Sequence, residues 1–224
     1  MKRTLFTIVL SAICTLSYSQ EMASDAKVDE IAAKICEQAH RFENMENAAE
    51  FNFIYLEVAR ETGVIDELPA YQQQDAFSRS FYRIQRNCPV LLKLLNQIST
   101  ASDWSTLTEK PKSTISNKDI KAFKERSEFY YRETEDARTD VFIIDGYWSD
   151  QFPDDTYTSL KMDWVNKTTF KLTFESSTNA GRDKLSNPGD EYFYELISKE
   201  EDYFLVSTWL EGQDRYQTFK MYYE

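Results

Sequence analysis

The chain has 224 residues, 38 acidic against 26 basic, and a formal charge of −12. Such a balance repels phosphate backbones and anionic lipid, and no basic stripe offsets it, so nucleic acid is set aside as a partner. With 42% apolar residues and only 5 Gly and 5 Pro, the composition is that of a globular chain and excludes a collagen-like or disordered one.

Lys2 and Arg3 precede an apolar run over residues 5–16, and Ser17 and Ser19 place small residues where a signal peptidase reads. This is the pattern of a secretory signal over 1–19, too short for a membrane span. Its removal leaves about 205 residues and, since Lys2 and Arg3 go with it, a charge of −14. Cys14 goes too. It follows Ile13, where a lipid-attachment signal wants a small residue, and the apolar run continues past it. No later run approaches the ~20 apolar residues of a transmembrane helix, so no integral span is expected. The expected location is the periplasm or the extracellular space.

Residues 24–99 read as helical. Ser24 is an N-cap, and Val28, Ile31, Ala32, Ile35, Ala39 and Phe42 form one stripe on a helix of about five turns. A second helix over about 46–62 is apolar nearly all round, which predicts a central position, and Gly63 sits where a left-handed C-cap belongs. A third follows Pro69, with Tyr71, Phe77, Phe81, Ile84 and Cys88 near the helical period. Pro89 starts a fourth, with Val90, Leu91, Leu94, Leu95 and Ile98 on its apolar face. The even thiol count in an exported chain predicts a Cys36–Cys88 disulfide. The alternatives are two buried thiols or one reactive cysteine.

Residues 100–118 are rich in Ser and Thr and read as a linker. After it the period changes to 2, and 119–224 read as an antiparallel β domain. Expected strands cover 127–132, 139–148 with a late break at Gly146, 160–164, 170–174, 192–198, 203–210 and 216–223. Residues 127–132 also fit the end of a helix from Asp119. Hairpin links fall at Asn166–Lys167, 199–202 and 212–214, and one long loop covers 176–190. Six or seven consecutive strands predict a meander that curls into a partly closed barrel or a sandwich. The fold class is α+β: a helical bundle, then an antiparallel sheet.

Catalytic machinery is sparse. His40 is the single histidine and reads as a solvated helix residue. There is no G-x-S-x-G elbow, no P-loop and no G-x-G-x-x-G, and one His with two Cys cannot build a His/Cys zinc site without added carboxylates. No catalytic residue and no cofactor is assigned. Asp145, Asp150, Asp154 and Asp155 cluster around one loop, and Asp183 and Asp190 lie in the long one. Asp150, Asp154 and Asp155 are candidates to hold a cation, although their spacing is not that of an EF-hand. Asp145 and Asp150 are a candidate carboxylate pair for an envelope carbohydrate hydrolase. The sheet carries more rings than one face can bury. Trp148, Trp164, Tyr194 and Trp209 are therefore candidates for a ligand or partner surface, packing against the helical half being the alternative.

The signal ending in Ser-Tyr-Ser-Gln, the helical segment with Cys36, and Asn87-Cys88-Pro89 before an apolar run resemble small exported proteins of Bacteroidota. Residues 161–174, KMDWVNKTTFKLTF, resemble the strand–turn–strand of a small lipocalin-like sheet domain in such proteins. Those domains carry a Cys in the turn, where this chain has Lys167 and Thr168. The resemblance implies a fold and no activity. The expected function is thus a non-catalytic exported binding module, with a small apolar ligand or an exported protein as partner. The alternatives are the hydrolase and a structural or inhibitory partner of another exported protein.

Overall fold

A computed structural model describes residues 22–98, 103–134, 137–213 and 215–224, and the expected signal segment lies outside the described residues. Ser24 caps α1 (Asp25–Cys36) by accepting from the Lys27 amide, and Val28, Ile31, Ala32 and Ile35 are buried along it. The stripe does not continue as one long helix. Gln38 leaves helical geometry, and Ala39–Phe42 form a 3₁₀ turn, whose three-residue period keeps Ala39 and Phe42 on the buried side. His40 on that turn is exposed. Asn47 caps α2 (Ala48–Glu61) through the Ala49 and Glu50 amides. This helix is not central: Phe51, Tyr55, Val58 and Ala59 are buried, while Phe53 stays 68% exposed. Apolar content without a surrounding second layer buries only one stripe. Gly63 follows with φ +66°, the left-handed geometry its position predicts.

The most extensive helix pairing is instead α1 against α3 (Ala70–Asn87), which leads into α4 (Pro89–Ile98). Cys36 at the end of α1 is bonded to Cys88 between α3 and α4.

The rest is a closed antiparallel barrel of eight strands, β2 to β9, with one further strand, β1. The segment read as a linker contains β1 (Trp104–Leu107), too short to show an alternation by itself. It is followed by α5 (Asn117–Lys124), β2 (Glu128–Thr134), β3 (Ala137–Ile144), β4 (Tyr147–Gln151), β5 (Tyr157–Trp164) and β6 (Thr169–Ser177). A short helix, α6 (Ala180–Leu185), lies inside the long loop, and β7 (Glu191–Lys199), β8 (Tyr203–Trp209) and β9 (Tyr216–Tyr222) complete the chain. Residues 139–148, read as one strand, are a hairpin. Asp145 and Gly146 both have positive φ and make the two-residue turn that such a pair specifies.

Closure is uneven. β9 meets β2 at a single register pair, Tyr130 with Tyr222, while β1 runs beside the other half of β9 from Trp104–Phe219 to Leu107–Tyr216. Trp104 stacks on Phe219 at 4.6 Å, and its indole N–H donates to the Arg132 carbonyl at 2.7 Å. The barrel core gathers around Phe170, Leu172, Leu196, Phe204, Val206 and Met221, all fully buried.

The disulfide closes a separation of 52 residues, which the chain-entropy model values at about 4 kcal/mol. Replacing Cys36 and Cys88 together by Ser is expected to cost about 2–4 kcal/mol in urea denaturation, with the loss confined to the helical transition if the two halves unfold separately.

Candidate functional site

The two ends of the barrel are chemically different. At one, α5 lays Ile120 and Phe123 over the opening, and Phe123 meets Phe129, Phe170 and Phe204 at ring distances of 4.8, 6.0 and 5.2 Å. This end is an apolar plug.

The other end is polar. Alternation along β2 and β4 turns Tyr131, Glu133, Trp148 and Asp150 toward it. Asp150 is 9% exposed and accepts from the Trp148 indole at 2.8 Å. Arg182, on α6, donates to Glu133, which also accepts from the Tyr131 hydroxyl at 3.4 Å. The Arg182 guanidinium lies 5.5 Å from the Phe152 ring centre. Tyr194 stacks on Phe170 at 5.4 Å and lies 5.7 Å from Trp148.

Burial sets the ionisation here. It pushes Asp150 up to about 6, against the pull of the Trp148 indole and the Arg182 charge, which favour the carboxylate. Burial and the Asp150 charge raise Tyr131. Burial acts against the Arg182 charge, yet that pKa stays above its ordinary value, with Glu133 and Asp150 as the anionic groups beside it at neutral pH. Arg182 therefore stays charged, and Tyr131 and Tyr194 stay neutral at any physiological pH.

A second polar set holds α6 in place. Arg83 of α3 donates to Asp29 of α1 at 2.7 Å, to the Leu185 carbonyl at 2.8 Å and to Asp190 at 2.9 Å. Arg86 pairs with Asp190 at 3.1 Å, and Lys184 donates to Ser78 at 2.9 Å. Asn179 caps α6 through the Gly181 and Arg182 amides. Gly181 lies so near Tyr82 of α3 that a Cβ there would come within 3.3 Å of its ring.

The sequence candidates are not brought together as one surface. Trp148, Trp164 and Tyr194 all belong to the barrel core around Phe170, with Trp164 at the α5 end under the Lys124 ammonium, 3.7 Å from the ring centre. Trp209 lies on the outside, stacked on Phe193 and covered by Lys110 at 4.2 Å. Asp145 is in the exposed turn before β4, while Asp150 is buried toward its other end. Asp154 is exposed and accepts from Thr156, and Asp155 is exposed with positive φ. Among the described residues no three His, Cys, Asp or Glu side chains are grouped so as to hold a metal ion.

Sequence reasoning passed over Tyr131, Glu133 and Arg182. An arginine in a long polar loop carries no signal that distinguishes it from a solvated one. A separate groove of about 440 Å³ lies outside the α5 end, lined by Arg126, Tyr130, Arg138 and Phe142 among others. Its two arginines are already engaged by Glu224 and Asp140. Comparison with protein families, curated proteins and solved structures finds nothing that matches this chain.

Asp150 binds a proton more readily folded, at about 6, than at its ordinary 3.8. The stability tied to that proton is complete below 3.8 and is lost as the pH rises through about 6, so ionised Asp150 costs on the order of 3 kcal/mol at neutral pH. Asp150→Asn keeps an acceptor for the Trp148 indole. It is expected to melt above wild type at pH 7.5, with the difference vanishing by pH 4, in thermal scans across that range.

Proposed function

We propose that the chain is an exported, non-catalytic binding module that takes a small ligand at the α6-covered end of its barrel. The single observation carrying this reading is the contrast between the ends. One is sealed by Phe123, while the other keeps a buried carboxylate, the buried Tyr131 and the half-buried Tyr194 beneath a helix that buries none of its own residues. Polar groups converging at a barrel mouth are the usual chemistry of a ligand site. The signal-like start, the disulfide and the lack of a membrane-length apolar helix among the described residues support export. The eight-stranded barrel supports the lipocalin-like resemblance.

A protein partner on the outer barrel face is the second reading. Phe142, Ile144 and Tyr147 lie exposed together on β3 and β4 and favour it.

Two measurements test the proposal. In a Gram-negative host the full-length chain is expected to be cut after Ser19 and recovered outside the cytoplasm; retention uncut inside would overturn export. The purified protein is then exposed separately to decanol, succinate and agmatine, with amide exchange of 176–190 and Trp148-dependent fluorescence as readouts. One chemical class is expected to change both. Silence with all three, together with a protein partner whose binding is lost on Tyr147→Asp, would replace the first reading by the second.

A further inference from the structure

We infer that the outer face of α2 is a self-association surface, on which a second copy of the chain docks its own α2 antiparallel about a two-fold axis. Neither binding reading above uses this face, so the inference stands or falls apart from them.

Helical spacing gives α2 two apolar stripes. Phe51, Tyr55, Val58 and Ala59 are buried in the bundle. Ala49, Phe53, Leu56 and Arg60 follow at i, i+4, i+7 and i+11 on the opposite face, and all four are exposed. Phe53, at 68%, is the most exposed large apolar side chain among the described residues. Neither Phe53 nor Leu56 belongs to the helical core.

The face is self-complementary. A two-fold axis through the midpoint between Phe53 and Leu56 sets Phe53 of each copy against Leu56 of the other. Ala49 and Arg60 share that midpoint, so the same axis sets them against each other, and the small Ala49 leaves room for the arginine stem. Arg60 then lies beside the first turn of the other copy's α2, where Glu46 and Glu50 stand. Among the described residues the Arg60 guanidinium has no partner, and neither has the Glu46 carboxylate. The neighbouring Glu57 and Glu61 are both held by Arg41. An acid at one end of the stripe and a free cation at the other are what a two-fold contact requires, since residue i meets j and j meets i. A parallel copy would set Arg60 against Arg60. Two apolar side chains offer less than the ~800 Å² per partner of a standard interface, so the dimer is weak, half-formed at roughly 100 µM.

Sedimentation equilibrium of the purified protein from about 5 µM to about 1 mM tests this, in about 0.15 M salt to screen the repulsion between acidic copies. The mean mass is expected to climb toward that of two chains. Phe53→Asp should weaken association at least about tenfold and leave the far-UV spectrum unchanged. Arg60→Glu alone sets acid against acid, and Glu46→Lys alone sets base against base, so each should weaken association by about threefold or more. Mixed in equal amounts, the two variants should associate as well as wild type, because each copy brings the charge that the other lacks. A wild-type chain that stays single to about 1 mM overturns the inference. Association that survives Phe53→Asp overturns it too, placing the contact elsewhere. So does a mixture that fails to recover, since the antiparallel match would then be wrong.

Discussion

Arg83 is where the two halves of the molecule meet. The residue is 4% exposed, and leaving its charge unpaired would cost several kcal/mol. It is paired on every side instead: Asp29 holds it within the helical half, while Asp190 and the Leu185 carbonyl hold it to the segment between β6 and β7. Burial works against its charge and the two carboxylates restore it, so its pKa ends above the ordinary value. The position of α6 follows from this bridge. The helix has no apolar footing, and what keeps it over the barrel is its attachment to α3 through Arg83, Lys184 and the close approach of Gly181 to Tyr82.

The barrel beneath has the opposite character. Its interior is a continuous ring stack in which Phe170 touches Trp148, Trp164, Tyr194 and Phe123. Aromatic pairs add about 0.5–1.5 kcal/mol each beyond the area they bury, so this packing is stiff as well as stable. It also accounts for the ring content of the chain, which a two-sided open sheet would have had to expose. A stiff wall is what allows two strands to hold Glu133 and Asp150 in register without help from a loop.

How much of this was readable depended on periodicity. The α+β division, Ser24 as a cap, Gly63 as a helix end, the Cys36–Cys88 pair and most strands follow from patterns with a local cause. The Asp145–Gly146 turn was equally readable, since Asp-Gly between alternating apolar residues is a hairpin signal; the apolar run across it hid the break. Other features had no local cause. Trp104 becomes a strand residue only because β9 offers an edge, and the burial of Asp150 depends on neighbouring strands and α6. The polar end assembles residues from β2, β4, α6 and β7, so no spacing in the chain announces it.

The two buried charges are held on different energetic terms. Arg83 donates to two carboxylates and a carbonyl, its pairing overcomes its burial, and any further ligand would have to break bonds already made. Asp150 is the reverse. Even with the Trp148 indole and Arg182 nearby, burial still raises it to about 6, so at neutral pH it is ionised at a net cost.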